Sequence, residues 1–272
     1  MIKRLDSVSG YTDFINEINS DPDFGDPMLR TQEQMKTNLY DAVKRKETNY
    51  AFGIFDGQEM TGLFMFLISE DESYIEMLVG LSKNPQAYEE IIAFLKNAYK
   101  DYEADFVYNP NNYMLHAALQ KEDAEFEPEQ QKMVLKNEIT YPTDGKVQLY
   151  SPKYREEYVA MHTTDVYWTA DKVIGAQDIF RIILAVDCGE AVGYVDITYN
   201  AEENEPYDIF VKPQYRRKGY ARAMLAKAIE FNKPHEMTLL VDVDNEGAIA
   251  LYTSAGFEKV AGENNITAHL RL

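Results

Sequence analysis

The order of apolar runs and turns in the first half of the chain recurs in the second half, and that recurrence restricts the fold more than any other feature. Tyr50–Phe55 reads as a strand, Asp56-Gly57 as a tight turn and Met60–Ile68 as the returning strand. Asp-Gly between apolar runs is a strong hairpin signal. Phe180–Val186, a turn near Gly189 and Ala191–Tyr199 repeat it, with Gly62 and Gly193 in matching places 131 residues apart. A third strand follows in each half, Tyr74–Leu81 and Pro206–Val211. Next come amphipathic helices, with apolar positions Tyr88, Ile91, Ile92, Leu95 and Tyr99 in one and Ala221, Met224, Leu225, Ala228 and Ile229 in the other. Both show the i, i+3, i+4, i+7 spacing of a helix with one buried face. Strands at Ala104–Tyr108 and Met237–Val241, helices after Asn111-Asn112 and Asn245, and closing strands Gln130–Leu135 and Ile266–Leu272 complete the units. The fold class is α/β (α+β), in two tandem units.

A chain of 272 residues exceeds the ~100–150 of a typical domain, which agrees with two. The boundary falls near Tyr141-Pro142-Thr143-Asp144-Gly145, where proline and glycine interrupt regular structure. The units are therefore 1–141 and 146–272. Asp21–Pro27 reads as a loop, and Thr31–Lys46 as a helix with Met35, Leu39 and Val43 inward.

The net charge of −19, from 46 acidic against 27 basic residues, repels phosphate backbones and argues against nucleic acid as a partner. The same field attracts cationic amines, or serves only solubility. No apolar run reaches the ~20 residues of a membrane span, so no membrane partner is expected. The start, Met1-Ile2-Lys3-Arg4-Leu5-Asp6, lacks a signal peptide's apolar stretch, and Cys188 is the lone cysteine. The expected location is cytoplasmic.

Tyr207-Asp208-Ile209-Phe210-Val211-Lys212-Pro213-Gln214-Tyr215-Arg216-Arg217-Lys218-Gly219-Tyr220-Ala221 is the most informative stretch. It reads as a short strand, a proline-punctuated turn, then a basic, glycine-bearing start of a helix. Free amides and the dipole at a helix N-terminus attract anions. Gly219 permits close backbone approach, and Arg216, Arg217 and Lys218 add positive charge. The arrangement suits a pyrophosphate; alone, it equally describes a cationic surface turn. No Gly-x-Gly-x-x-Gly supports a nicotinamide cofactor.

Downstream lies Asp244-Asn245-Glu246-Gly247-Ala248-Ile249-Ala250-Leu251-Tyr252-Thr253-Ser254-Ala255-Gly256-Phe257. Together the two stretches resemble the GCN5-related N-acetyltransferases (the GNAT superfamily), with their Arg-x-x-Gly-x-Gly/Ala turn and Asn-x-x-Ala-x-x-Leu-Tyr-x-x-x-Gly-Phe segment. Ala221 stands where glycine is common. The likeness covers the C-terminal ~125 residues and implies the tandem form of the family: two domains, each a mixed, mostly antiparallel sheet flanked by helices. It implies a sheet splayed between its fourth and fifth strands, with acetyl-CoA as cosubstrate in the opening. The backbone of Ile209, Phe210 and Val211 would hold the acetyl carbonyl and pantetheine arm. Arg216, Arg217, Lys218, Gly219, Tyr220 and Ala221 would cradle the pyrophosphate, with the Tyr220 side chain pointing away. Asn245 and Tyr252 would flank the pantetheine and thiol; Asn245 is equally a favoured N-cap.

Acyl transfer to an amine needs a neutral nucleophile, a polarised carbonyl and a protonated leaving thiolate. Tyr252 is the candidate acid, since a phenol at pKa ~10 can hydrogen-bond a thiolate whose thiol lies near ~8.5. Asp208 is the candidate base. Alternation places it with Phe210 on one face, and Ile209 with Val211 on the other. The Tyr-Asp-Ile-Phe-Val run is similar to one in aminoglycoside 3-N-acetyltransferases, which implies the same role. Glu205 and Asp196 are weaker substitutes; Asp242 and Asp244 could bind an amine or cap a helix. His116, His162, His235 and His269 are scattered without metal-ligand spacing, so no metal is expected. No Gly-x-Ser-x-Gly occurs, and direct attack by the amine is the expected mechanism.

The first half lacks the anion-binding turn. Leu81-Ser82-Lys83-Asn84-Pro85-Gln86-Ala87 has one basic residue, and Pro85 removes a backbone donor. This degenerate half is expected to share the fold and bind no acetyl-CoA. The expected function is acetyl transfer to a small-molecule primary amine, with association into a homodimer left open. An acyl-CoA sensor and a protein N-acetyltransferase are the alternatives. Substrate-determining residues are expected in loops such as Tyr167–Gly175 and Tyr199–Glu205.

Overall fold

Two hairpins with the same defect organise the structure, a computed structural model that describes residues 1–137, 141, 145–164, 168–201 and 203–272. Strands β2 (Asn49–Asp56) and β3 (Glu59–Ser69) pair with a register shift that leaves Thr61 extra, just before Gly62. Strands β9 (Phe180–Asp187) and β10 (Glu190–Thr198) shift in the same way at Val192, just before Gly193. A bulge adds one residue and twists the strand, so its recurrence supports the repeat read from the sequence. Of the expected linker, Pro142, Thr143 and Asp144 lie outside the described residues, as do Tyr167 and Glu202 of the two expected substrate loops.

The chain divides into Met1–Gln131 with Ala261–Leu272, and Lys132–Val260. The expected division, 1–141 and 146–272, differs because the two closing strands are exchanged. Strand β15 (Ile266–Arg271) pairs antiparallel with β5 (Glu103–Tyr108) in the first unit. Strand β7 (Gln130–Leu135) pairs with β14 (Phe257–Lys259) in the second. Gly256 seals that second junction. Its φ of +100° is left-handed, and a Cβ there would lie 1.6 Å from the Asn137 carbonyl oxygen, so only glycine fits.

The first unit is one seven-stranded sheet, ordered β1-β2-β3-β4-β5-β15-β6, with β1 at Ile2–Leu5, β4 at Tyr74–Ser82 and β6 at Glu125–Phe126. Helices α3 (Pro85–Ala98) and α4 (Tyr113–Lys121) cover a core containing Phe64, Phe66, Tyr88 and Phe106. Helix α1 (Thr12–Asn19) contributes Ile15 and Ile18 to a second core with Leu63 and Val79. The expected helix at Thr31–Lys46 is broken into α2 (Gln32–Gln34), a π-helical stretch Met35–Tyr40 and a 3-10 turn Ala42–Lys44. Around the break the Thr37 hydroxyl donates to the Glu33 carbonyl at 2.9 Å, and Asn38 donates to the Met28 carbonyl at 2.9 Å. Such side-chain bonds compete with the regular ladder. Leu39 and Val43 remain buried as expected.

Strand β4 pairs with its parallel neighbour β5 only from Tyr74 to Met77. Beyond that point the Asp21–Pro27 loop takes up the exposed groups. Asp26 is buried and its Oδ2 accepts from the Gly80 amide at 2.9 Å, while Oδ1 accepts from Met28. Asn109, after β5, donates to the Pro22 carbonyl at 2.8 Å, and Asp21 pairs with Lys83 at 2.8 Å.

The second unit holds two four-stranded sheets, β12-β10-β9-β8 and β11-β13-β7-β14. Their remaining members are β8 (Val147–Leu149), β11 (Glu203–Asn204), β12 (Pro206–Val211) and β13 (Glu236–Asp242). Helices α7 (Tyr220–Asn232) and α8 (Glu246–Ser254) pack on one face with Val195, Ile197, Leu239 and Phe257. Helices α5 (Arg155–Met161) and α6 (Ala170–Gly175) pack on the other with Leu184, Tyr194 and Phe180. Mixed, mostly antiparallel sheets flanked by helices thus make both units, as expected. Among the described residues no helix is long and apolar enough to cross a membrane.

Burial pushes the Asp26 carboxyl up to about 6, against the lowering effect of its two amide bonds and Arg30. A raised acid pKa means that the native state holds more protons than the unfolded one between pH ~4 and ~6, so stability falls as pH rises through that window. Relative to Asp26→Asn, the native protein should lose on the order of 1 kcal/mol of unfolding free energy between pH 5 and 7. Denaturant unfolding of both at the two pH values checks this; parallel behaviour would show that Asp26 is already ionised at pH 5.

Candidate functional site

Strands β12 and β13 belong to different sheets, so among the described residues no strand lies beside the edge of β12 that faces away from β10. A cleft of about 660 Å³ opens there. Ile209, Phe210 and Val211 form one wall, and Arg216, Arg217, Gly219, Tyr220, Ala221 and Arg222 another. Asn245, Gly247, Ala248 and Leu251 complete it from α8. The turn before α7 holds two left-handed residues, Arg217 at φ +61° and Gly219 at φ +85°. Gly219 is the N-cap of α7, whose first amides lack intrahelical partners. A Cβ on Gly219 would lie 2.6 Å from the Tyr141 hydroxyl. Positive dipole end, free amides and arginines thus converge on one concave surface, which suits an anion.

The side chains sort themselves around this. Arg216 is tied by Nε to the Val211 carbonyl at 3.0 Å, and Arg222 donates to the Ser254 carbonyl at 3.2 Å. Tyr220 is buried in the core under α7, and burial and the neighbouring Asp187 raise its phenol above the ordinary range. Lys218 lies over the Tyr215 ring rather than in the cleft. Asn245 caps α8, its Oδ1 accepting from the Ala248 amide at 3.1 Å. Tyr252, on α8, is buried against Phe257 and does not line the cleft. Burial, helped by the charge of Asp208, pushes its phenol up to about 12.

Asp208 and Phe210 face the α5 side, opposite to Ile209 and Val211, as alternation requires. Asp208 joins a cluster that the sequence did not reveal. It stands directly across from Asp196 on β10. Its Oδ2 accepts from the Tyr194 hydroxyl at 2.6 Å and lies 3.8 Å from His162 Nε2. Asp196 is fully buried; its Oδ2 accepts from the Tyr158 hydroxyl at 2.8 Å and meets His162 Nε2 at 3.1 Å. The imidazole stacks on Tyr194 at 5.1 Å and 11°, with Nδ1 at 3.1 Å from the Thr163 carbonyl.

Burial raises the Asp196 carboxyl to about 6 although His162 and Tyr158 oppose this, and the charge of Asp208 adds to it. Burial alone lowers the His162 imidazole, but its bonds to Asp196 and Thr163 and the two carboxylate charges outweigh that, and the net shift is upward. Tyr158 and Tyr194 are pushed above the ordinary phenol range by burial and by their carboxylate partners, so both act only as donors.

The four histidines stay apart from one another, but one of them has carboxylate neighbours that the sequence did not show. His116 bonds Tyr108 and His269 bonds Asp105, both in the first unit, whereas His162 sits between Asp196 and Asp208. His162, Asp196 and Asp208 offer one ligand atom each within 4.8 Å, a spacing that the sequence hid because three elements supply it. The available signals were Asp196, a carboxylate within an otherwise apolar strand, and the i, i+4 pair Tyr158 and His162. Glu205, the other substitute base, is half-buried and pushed upward by burial and Glu203.

Residues 147–257 match the model of the acetyltransferase (GNAT) family. The N-alpha-acetyltransferase RimI of Mycobacterium tuberculosis is 36% identical over 76 residues, 26% of this chain and 48% of that protein. The spermidine N(1)-acetyltransferase of Escherichia coli K12 is 30% identical over 117 residues, 40% of this chain and 60% of that protein. Each match spans only part of the relative. Among solved structures, a GCN5-related N-acetyltransferase from Sphaerobacter thermophilus aligns over 99% of this chain and 94% of its own, with TM-score 0.64 and 13% identity. A tandem GNAT protein from the clavulanic acid biosynthesis pathway aligns over 99% and 97%, with TM-score 0.51 and 9% identity. At such identities these two likenesses concern the fold alone.

If the turn at Gly219 is the anion site, Gly219→Glu should weaken binding of inorganic pyrophosphate at least tenfold in calorimetry. Undiminished binding would place the anion elsewhere.

Proposed function

Residues 147–257 belong to the acetyltransferase (GNAT) family, and from that premise we propose that the second unit transfers the acetyl group of acetyl-CoA to a primary amine of a small molecule. The observation that carries this reading is the cleft between the unpaired edge of β12, the left-handed turn before α7 and the start of α8. Main-chain groups of Ile209, Phe210 and Val211 line the opening, where they would hold the acetyl carbonyl and pantetheine arm. The amides and arginines of the Arg216–Ala221 turn would take the pyrophosphate, and Asn245 the pantetheine. Lys218, held over Tyr215, acts through its backbone or at long range.

Asp208 accepts the proton of the bound ammonium, and the neutral amine attacks the thioester carbonyl directly. The C–N bond forms and the C–S bond breaks; Tyr252, buried behind the cleft wall, meets the leaving thiolate only once its hydroxyl has turned toward the opening. A phenol held at about 12 gives up its proton reluctantly to a thiolate whose thiol lies near ~8.5. Its first contribution is therefore a hydrogen bond to the developing charge. Burial is the larger cause of the raised phenol and persists throughout; once Asp208 has taken up the ammonium proton, only the smaller, charge-based contribution is relieved. The proton on the new amide nitrogen then replaces the one given to sulfur.

Acidic composition and the Asp208 carboxylate favour a cationic acceptor, and spermidine is the substrate in the name of one relative. The first unit is left out of the reaction in this reading, because Asp26 already occupies the Gly80 amide on its corresponding strand.

A panel of amines that includes spermidine and a peptide with a free N-terminus, assayed with acetyl-CoA for thiol release, tests this. Turnover is expected with a small amine, falling about 100-fold in Asp208→Asn and about 10-fold or more in Tyr252→Phe. Unchanged rates in both variants would remove these two roles. Tight coenzyme A binding without any product would favour a sensor instead.

A further inference from the structure

Glu205 lies three positions before Asp208, and plain alternation would send the two to opposite faces. The register of β12 against β10 prevents that. Asp208 stands across from Asp196 and Pro206 across from Ile197, which leaves Tyr207 bulged between them. A bulge adds one residue on its own strand, so the alternation beyond it is reset. Glu205 therefore stands across from Thr198, whose amide donates to its carbonyl at 2.9 Å and whose hydroxyl accepts from its amide at 2.8 Å. Thr198 is in turn opposite Phe180, which belongs to the core on the α5 side. Asp208 and Glu205 thus share a face, opposite residues two apart on β10, a separation of about 7 Å along the strand. Tyr207 lies between them. Its ring meets Phe180 edge-on at 5.7 Å, it stays exposed, and both carboxylates add to burial in raising its phenol.

Glu205 lines a cavity of about 370 Å³ together with Thr198, Asn200, Glu203 and Thr238. Glu203 is already engaged, its Oε1 accepting from the Thr238 hydroxyl at 2.8 Å and pairing with Lys132 at 3.1 Å. Glu205 is half-buried, and among the described residues its carboxylate has no hydrogen-bond or ion-pair partner. Burial and the charge of Glu203 push it upward, and Lys132 offsets only part of this. The main chain around it is tied down. Asn204 bonds both main-chain groups of Ala201, at 3.1 and 2.8 Å, and β11 pairs in parallel with β13. A partly desolvated carboxylate on a fixed backbone is stabilised by a cation that arrives with a ligand.

We propose that Glu205 is a specificity-determining residue that holds a second ammonium group of the acceptor, which makes the substrate class an aliphatic diamine acetylated at one end. This rests on the acetyl-transfer reading above and deepens it. Asp208 meets the amino group that reacts, the Tyr207 ring covers the methylenes, and Glu205 pairs with the distal ammonium. A chain of roughly four methylenes bridges a separation of about 7 Å. A monoamine of the same length leaves Glu205 desolvated and unpaired. Sites built around a buried polar group reject analogues that lack its partner.

The test compares kcat/KM, at saturating acetyl-CoA, for 1,3-diaminopropane, 1,4-diaminobutane and 1,5-diaminopentane with that for monoamines of equal chain length. In the unaltered protein the best diamine should exceed its monoamine about tenfold or more, chiefly through KM. Glu205→Gln should reduce that preference about tenfold or more. Glu205→Asp, one methylene shorter, should move the optimum toward the longer diamine, a shift that a merely structural role would not give. Equal kcat/KM for diamines and monoamines, or a preference that survives Glu205→Gln, would overturn the proposal and leave acetyl transfer standing. Calorimetry of 1,4-diaminobutane with the protein holding coenzyme A needs no turnover. Glu205→Gln should weaken that binding about tenfold or more; unchanged affinity, or no binding to the unaltered protein, would overturn the assignment. Failure of every amine to turn over would remove the transfer reading, while this second arm still decides the role of Glu205.

Discussion

A strand edge without a neighbour must find partners for its main-chain groups, and both units are arranged around that requirement. In the first unit β4 parts from β5 after Met77, and the Asp26 carboxylate takes the Gly80 amide. Asp21 meets the sole basic residue of the turn that follows, Lys83. The chain thus supplies its own pair of anionic groups where the second unit keeps a cleft. In the second unit β12 and β13 part company altogether. There Arg216, Arg217 and Lys218 precede the N-cap Gly219, where the first unit has Lys83 before the N-cap Asn84. The difference between a filled and an open edge comes from one loop and one turn on a shared scaffold.

The same scaffold sets the chemistry on its opposite face. Alternation along β12 sends Ile209 and Val211 toward α7 and α8, and Asp208 and Phe210 toward α5. One short strand therefore contributes main chain to the cleft and a carboxylate to the buried cluster. Aromatic stacking, from His162 over Tyr194 to Phe210, fixes the imidazole in orientation. Phenols fix the carboxylates. Such a network is rigid only when its members are satisfied, and among its described atoms Asp196 Oδ1 is buried without a partner.

Much of this was legible in the sequence. Hairpin turns, amphipathic spacing and the two Asn-started helices gave the element order, since each is a local signal. Asn112 and Asn245 even cap alike, their side chains accepting from Leu115 and Ala248. The glycine turn and its arginines were readable because backbone freedom and charge are written in residue type. The exchange of β7 and β15 was not, because strand partnership is a long-range choice that alternation does not encode. The His162 cluster escaped for a related reason: its members come from α5, β10 and β12 and touch only after folding. The break after Gln34 was hidden behind an apolar spacing that survives in Leu39 and Val43 even without a regular helix.

The exchanged closing strands also decide which stretches of sequence could stand alone. Within the seven-stranded sheet β15 is an interior member, lying between β5 and β6. Residues 1–141 consequently lack a strand that their sheet needs, and residues 146–272 lack β7, which lies between β13 and β14. A cut at the linker would therefore leave each piece with a gap in the middle of a sheet rather than a missing edge.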